Sequence, residues 1–213
     1  MIAPDRQQHW QDVYAQCGEQ QTSWFRPHLD LSLDWIDGLG LDKDAPIIDV
    51  GGGRSTLVDD LLARGFTDLS VLDLSGEALE QSAARLGARA QSIHWLNCDL
   101  LEAALAEAHY CLWHDRAVFH FLTDEAAQST YVALASRSLR PGGYLLLATF
   151  AEDGPEKCSG LPVCRYNAQT LAARFGDGFE TVGRRGEQHR TPFDREQSFT
   201  YLLLRRLPAQ STE

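Results

Sequence analysis

Long apolar runs are missing from this chain of 213 residues. The longest apolar stretch, residues 144–151 with Thr149 inside it, falls well short of the roughly 18 residues that a membrane-spanning helix needs. Excess positive charge is missing as well. Lys and Arg number 19 against 30 Asp and Glu, a formal charge of −11. A phosphate backbone is held mainly by clustered cations, so this balance argues against nucleic acid as the partner. The first 30 residues carry Asp5, Asp12, Glu19 and Asp30 with no apolar h-region, so no secretory leader is expected and the protein reads as cytoplasmic. Cysteines are few and unpaired in pattern: Cys17, Cys98, Cys111, Cys158 and Cys164 are odd in number, and no two sit at Cys-x-x-Cys spacing. That leaves no zinc or redox dithiol signature, and a chain of this length needs no disulfide framework. Cys98 and Cys111 lie in apolar segments and read as small buried residues. No metal site is expected, and no internal repeat or low-complexity stretch is present.

What the chain does have is 44% apolar residues, enough for a packed core, arranged as alternating strand-like and helix-like segments. Ile47 to Val50 reads as a buried strand, followed by helical spacing through Leu57, Val58, Leu61 and Leu62. Leu69 to Leu72 is a second strand, and Ser75 can N-cap a helix carrying Leu79, Ala83 and Leu86. Further strands are expected at 92–96, at Cys111 to Trp113 and at Tyr144 to Phe150, with a helix from about Asp124 to just before Pro141. This order predicts an α/β fold with a parallel sheet covered on both faces. After Phe150 the pattern loosens into a loop, a helix near Gln169 to Phe175, and two strand candidates, Phe179 to Val182 and Phe199 to Leu204, close enough to pair antiparallel. Residues 1–30 hold Trp10, Tyr14, Trp24 and Phe25 without a sheet pattern and read as an N-terminal lid. Residues 31–207 read as the α/β domain and 208–213 as a disordered tail.

In such a sheet, ligands bind beyond the carboxyl ends of the strands. The turn there reads Asp49-Val50-Gly51-Gly52-Gly53-Arg54-Ser55-Thr56. Three successive glycines tolerate positive φ and remove every Cβ, so backbone can lie against a bound molecule; a merely tight strand–helix turn is the plainer alternative. The dinucleotide fingerprint fails because Thr56 stands at its third glycine, and no Gly-Lys-Ser/Thr follows for a phosphate loop. Asp49 would repel a pyrophosphate and suit a cationic ligand carrying an ammonium and a sulfonium. Asp73 ends the second strand, about 20 residues beyond the glycines, where a carboxylate accepts ribose hydroxyls or simply stabilises a helix start. Asp99 follows the third strand and is placed for an adenine amino edge or for a plain loop.

The ordered set of Asp-Val-Gly-Gly-Gly-Arg-Ser, Leu72-Asp73-Leu74-Ser75, Asp99 and Leu139-Arg140-Pro141-Gly142-Gly143 resembles the class I S-adenosylmethionine-dependent methyltransferases over residues 45–150. Ser55 stands where that family usually has its last glycine. The resemblance implies a doubly wound, mostly parallel, Rossmann-like sheet of seven strands with an antiparallel C-terminal strand. It also implies S-adenosylmethionine as cofactor, held by Asp49, Gly51, Gly52, Gly53 and Ser55 at the methionyl end. Asp73 with Leu74 would take the ribose and Asp99 with Leu100 the adenine, and Trp24 is expected to close over the sulfonium, where an aromatic face favours a cation.

The same resemblance places the methyl acceptor beyond the fourth strand, at His114, Asp115, Arg116 and His120. Either histidine suits a general base; the alternative is an Asp115–Arg116 ion pair with His120 a helix residue. Arg165 and Tyr166, in the loop after the fifth strand, are candidates for binding an anionic or aromatic acceptor. The basic segment Arg184, Arg185, His189, Arg190 and Arg195 reads as a solvated hairpin tip or as an anion attractor. The expected activity is methyl transfer to a small molecule or a protein side chain. An NAD(P)-dependent oxidoreductase and a non-catalytic S-adenosylmethionine-binding module are the alternatives.

Overall fold

A computed structural model describes residues 6–208; residues 1–5 of the expected lid and 209–213 of the expected tail lie outside it. Seven strands, β1 (Ile47–Val50), β2 (Leu69–Asp73), β3 (Ile93–Asn97), β4 (Tyr110–Arg116), β5 (Leu139–Phe150), β8 (Phe179–Arg190) and β9 (Glu196–Arg206), form one sheet in the order β3-β2-β1-β4-β5-β9-β8. A two-residue pair, β6 (Lys157–Cys158) and β7 (Leu161–Pro162), stands apart. The pairs β1–β2, β2–β3 and β4–β5 are parallel, whereas β5 and β9 run antiparallel. This is the mostly parallel Rossmann-like sheet with an antiparallel C-terminal strand that the resemblance implied. The chain divides into two compact units, Met1–Ala103 with Arg190–Glu196 and Ala104–His189 with Gln197–Glu213.

In the first unit β1 and β2 are buried at every position, as strands covered on both faces must be. Their apolar residues therefore form continuous runs rather than alternating. The helices α1 (Arg6–Gln16), α2 (Asp30–Gly38), α3 (Leu57–Ala63) and α4 (Gly76–Leu86) belong to this unit. Ser75 caps α4 as its side chain predicted, with Oγ accepting from the Ala78 N–H at 3.3 Å.

In the second unit Asp124 caps α5 (Glu125–Ser138) through the Ala127 N–H at 2.8 Å, and Asn167 caps the short α6 (Ala168–Ala172). Three boundaries differ from expectation. β4 extends beyond Trp113 through His114 and Asp115, whose polarity hid the strand although both are fully buried. β5 begins at Leu139: Tyr110 pairs with Leu139 and Leu112 with Tyr144, so Arg140-Pro141-Gly142-Gly143 bulges out of the ladder without ending it. β8 runs eight residues past Val182, mostly exposed, because pairing sustains a strand that its side chains do not announce. His189 is buried within it and is no part of a solvated tip. Cys111 is buried as expected, but Cys98 is only partly so. No helix among the described residues is long and apolar enough to cross a membrane.

Candidate functional site

The turn after β1 is fastened to the end of β2. The N–H groups of Gly51 and Gly52 both donate to the Leu72 carbonyl, at 2.7 and 3.2 Å, and the Ser55 N–H closes the turn on the Gly52 carbonyl at 2.7 Å. Ser55 Oγ accepts from the Leu57 N–H at 3.1 Å, which opens α3. Asp49 is 4% exposed, and its carboxylate lies directly under the turn: a Cβ at Gly52 would sit 2.8 Å from Asp49 Oδ2 and 2.6 Å from Val71 Cγ1. At Gly53, where φ is +46°, a Cβ would run into the Tyr14 hydroxyl and lie 3.2 Å from Asp73 Oδ2. The glycines are thus required twice over, by a carboxylate beneath the turn and by a tyrosine above it. Gly52→Ala is expected to destabilise the fold by about 1–3 kcal/mol through overpacking, a fall of several degrees in melting temperature. An unchanged thermal melt would contradict the placement of Asp49 under Gly52.

Asp73 ends β2 and is nearly fully buried, with Oδ1 accepting from the Ser75 N–H at 2.8 Å. Burial pushes its carboxyl up to about 7, and the charge of Asp49 adds to this, while the N–H groups of Ser75, Gly53 and Leu74 pull the other way. Asn97 bridges the end of β2, donating to the carbonyls of Asp73 and Leu74 at 3.1 Å each. Asp99 caps the turn Leu100–Glu102 through the Leu101 N–H at 2.9 Å and meets Arg6 at 3.1 Å, while Leu100 is buried beside it. Asp49, Gly51, Gly52, Gly53, Ser55, Asp73, Leu74, Asp99 and Leu100 all fall within this first unit, at the carboxyl ends of β1, β2 and β3. Such a rim, with carboxylates at its floor and glycine backbone between them, suits a nucleoside bearing positive charge better than a polyphosphate.

Trp24 is not the ring that lies over the turn. Trp24 packs edge-on against Trp10 and Tyr14, with ring centres 5.9 and 6.2 Å away, and Tyr14 itself stands over Gly53. Arg54, to which the sequence reading gave no role, is 9% exposed and lies against Tyr14, with its guanidinium carbon 4.9 Å from the ring centre. Its only advance signal was its place immediately after the glycines in an acidic chain.

The residues expected on the acceptor side belong to the second unit. His114 and Asp115 are fully buried in β4. Asp115 does not pair with Arg116, because neighbours in a strand point to opposite faces. Its two oxygens instead accept from the Val118 N–H at 2.8 Å, the Phe119 N–H at 3.1 Å and the Tyr131 hydroxyl at 2.7 Å. Burial pushes this carboxyl up to about 6 against the pull of those bonds. Arg116 pairs with Glu187 at 3.6 Å, donates to the Tyr201 hydroxyl at 3.0 Å and stacks over Phe199 at 4.7 Å. His120 is buried, and its Nδ1 accepts from the Phe150 N–H at 3.3 Å. With that lone pair engaged, burial and then the charge of Arg116 hold the ring neutral, down at about 3, and its Nε2 is buried without a hydrogen-bond partner, so the ring is not placed as the base expected of it. Tyr166 is core rather than surface, its hydroxyl accepting from Gln128 at 3.0 Å, whereas Arg165 is accessible and meets Glu156 at 3.3 Å. Among the described residues, no three His, Cys, Asp or Glu side chains are grouped to hold a metal ion.

Comparison with known proteins finds similar sequences and similar folds. Residues 47–143 match the family described as "Methyltransferase domain". The human EEF1A lysine methyltransferase 2 is 23% identical over 191 residues, covering 82% of this chain and 74% of that protein. A structure solved in work on the conversion of a disulfide bond into a thioacetal group during echinomycin biosynthesis superposes with a TM-score of 0.77 at 16% identity, over 97% of this chain and 94% of that one. A SAM-dependent methyltransferase from Methanosarcina mazei superposes with a TM-score of 0.68 at 16% identity, over 81% and 97%.

Proposed function

For a chain that is a class I S-adenosylmethionine-dependent methyltransferase, we propose a protein lysine side chain as the methyl acceptor. The observation that carries this reading is the alignment with a lysine methyltransferase across 82% of the chain and 74% of the relative. Charge supports it, since a formal −11 favours encounter with a basic protein surface. The glycine turn with Asp49 and Ser55 would hold the methionyl end of the cofactor, Asp73 and Leu74 its ribose, and Asp99 and Leu100 its adenine. S-adenosylmethionine supplies a methyl carbon already activated by a sulfonium leaving group. The protein therefore has to align the acceptor and take one proton from it. Of the second unit's candidates His114 is left for that proton, since Asp115 and Arg116 are tied into the fold, and Arg165 is the accessible cation for an acidic neighbour of the lysine. Five free thiols accord with a reducing, cytoplasmic setting.

The test is incubation with methyl-labelled S-adenosylmethionine and a cell extract, followed by separation of protein from low-mass fractions. Label recovered as methyl-lysine after hydrolysis is expected. Label confined to the low-mass fraction would replace the protein acceptor with a small molecule, the reading favoured by the echinomycin-related neighbour and its 97% coverage. Binding of NADH, with none of S-adenosylhomocysteine, would remove the methyltransferase reading altogether.

A further inference from the structure

The helix α1 has little of its own to hold it in place. It is 11 residues long, about the length at which an isolated helix is marginal, has one buried residue, Tyr14, and carries no basic side chain in its last turn. What meets its C-terminal end comes from the glycine turn. Arg54 donates to the Cys17 carbonyl at 2.8 Å, immediately after the last helical residue, and to the Gly18 carbonyl at 3.3 Å in the turn that leaves it, so the cation sits at the negative end of the helix. The same guanidinium donates to Gln81 of α4 at 3.2 Å and stacks on the Tyr14 ring. Among the described residues no carboxylate pairs with it, and its Nε is buried without a hydrogen-bond partner. A cation so placed is compensated by two carbonyls just beyond α1, the Gln81 amide and an aromatic face, and it loses the carbonyls and the ring if α1 lifts away.

We propose that Arg54 is the latch that seats α1 on the glycine turn, and that Tyr14, seated by it, is the side chain that walls the cofactor site over Gly53 and Asp73. This deepens the methyltransferase reading and rests on it. Arg54 is a positioning residue, because its contacts are with the lid; Tyr14 is the residue expected to meet the cofactor, because its hydroxyl and Asp73 Oδ2 border the same space beside Gly53. The arrangement puts the latch one residue after the glycines, so whatever orders the turn also orders the lid.

The test uses the full chain with S-adenosylhomocysteine as the probe, calorimetry for affinity and hydrogen exchange for local order. Arg54→Gln is expected to speed amide exchange over residues 6–18 while leaving β1 and α4 protected. It should also weaken binding by about tenfold or more, from the loss of charge-assisted bonds. In turnover the KM for S-adenosylmethionine should rise while kcat at saturation is kept. Arg54→Lys should behave like Arg54→Gln, since an ammonium cannot serve two carbonyls and an amide while stacking on a ring. Exchange over residues 6–18 as slow as in wild type, or affinity within twofold, overturns the latch. If Arg54→Gln loses protection throughout, Tyr14→Phe decides. It keeps the ring beneath Arg54 and should stay folded with about tenfold weaker binding, and unchanged affinity overturns the assignment of Tyr14. Wild-type protein that fails to bind S-adenosylhomocysteine refutes the methyltransferase reading instead, and the exchange rates over residues 6–18 then judge the latch alone.

Discussion

Asp73→Asn is expected to weaken S-adenosylhomocysteine binding by about 100-fold, as the loss of two charge-assisted bonds to ribose hydroxyls implies, and yet to melt no earlier than wild type at pH 8. The two outcomes have one cause. Burial has raised the Asp73 carboxyl from 3.8 to about 7, so keeping it ionised at pH 8 costs about 4 kcal/mol, a cost that the neutral amide removes. Asparagine retains an oxygen for the Ser75 N–H and gives back part of that gain through the weaker bond. The sign follows from linkage. A carboxyl raised in the folded state binds protons that the unfolded state has already released, so its contribution is fully present below about pH 4 and is lost as pH rises through about 7. The stability advantage of asparagine should accordingly be largest at pH 8, shrink as pH falls below 7 and vanish near pH 4. Binding shows the opposite trend, because ribose hydroxyls donate to the ionised form. Wild-type affinity should fall as pH is lowered through 7, with proton release measurable by calorimetry in buffers of different ionisation enthalpy. Asparagine-variant binding equal to wild type would refute the ribose role. A large drop in its melting temperature at pH 8 would refute the cost assigned to the buried charge.

Asp115→Ala is expected to cost about 3–5 kcal/mol of stability, roughly 10 °C in a chain of this size, before any effect on turnover is considered. Three buried donors converge on this carboxylate. One of them, the Tyr131 hydroxyl, also accepts from the Trp113 indole N–H at 2.9 Å, so the chain Trp113–Tyr131–Asp115 is fully satisfied and fully buried. The same carboxylate fixes the backbone just after β4, where Ala117 adopts φ of +73°, a conformation costly for alanine. Removing it orphans two backbone N–H groups and the tyrosine while releasing that strained turn. Tyr131→Phe should cost less, about 2 kcal/mol, because it leaves Asp115 with its two backbone donors. Thermal or urea melts of both variants measure this directly. An alanine variant that melts like wild type but turns over poorly would return Asp115 to the chemistry.

The first unit was legible because its signals are local. Ile-Ile-Asp-Val, the glycines after it, Asp73 twenty residues on and the Ser75 cap each depend on neighbours a few positions away, and each stands where its spacing predicts. The errors lie where meaning depends on distant partners. Spacing does not reveal that Arg54 would reach Cys17 and Gly18, or that Tyr14 and not Trp24 would lie over Gly53. In the second unit polarity misled twice. His114 and Asp115 read as lying beyond the end of a strand, yet both are interior residues of a longer one, Asp115 with three donors on its two oxygens. His120 read as a base because nothing in the sequence discloses that its free nitrogen is already bonded to the backbone of Phe150, thirty positions away. The extension of β8 was hidden for the converse reason. An edge strand needs no apolar alternation when its outer face is wet.

That outer strand has a consequence for how the protein tolerates crowding. β8 closes the sheet on one side with an open row of amides and carbonyls, which is the surface on which foreign strands add and fibres start. Its middle reads Val182-Gly183-Arg184-Arg185-Gly186-Glu187, and adjacent arginines spaced by glycine there oppose a flat, dry, self-complementary association. Concentrated solutions should remain clear, and neutralising Arg184 and Arg185 together is the change expected to bring on turbidity and thioflavin-positive aggregates while leaving the melting temperature nearly untouched.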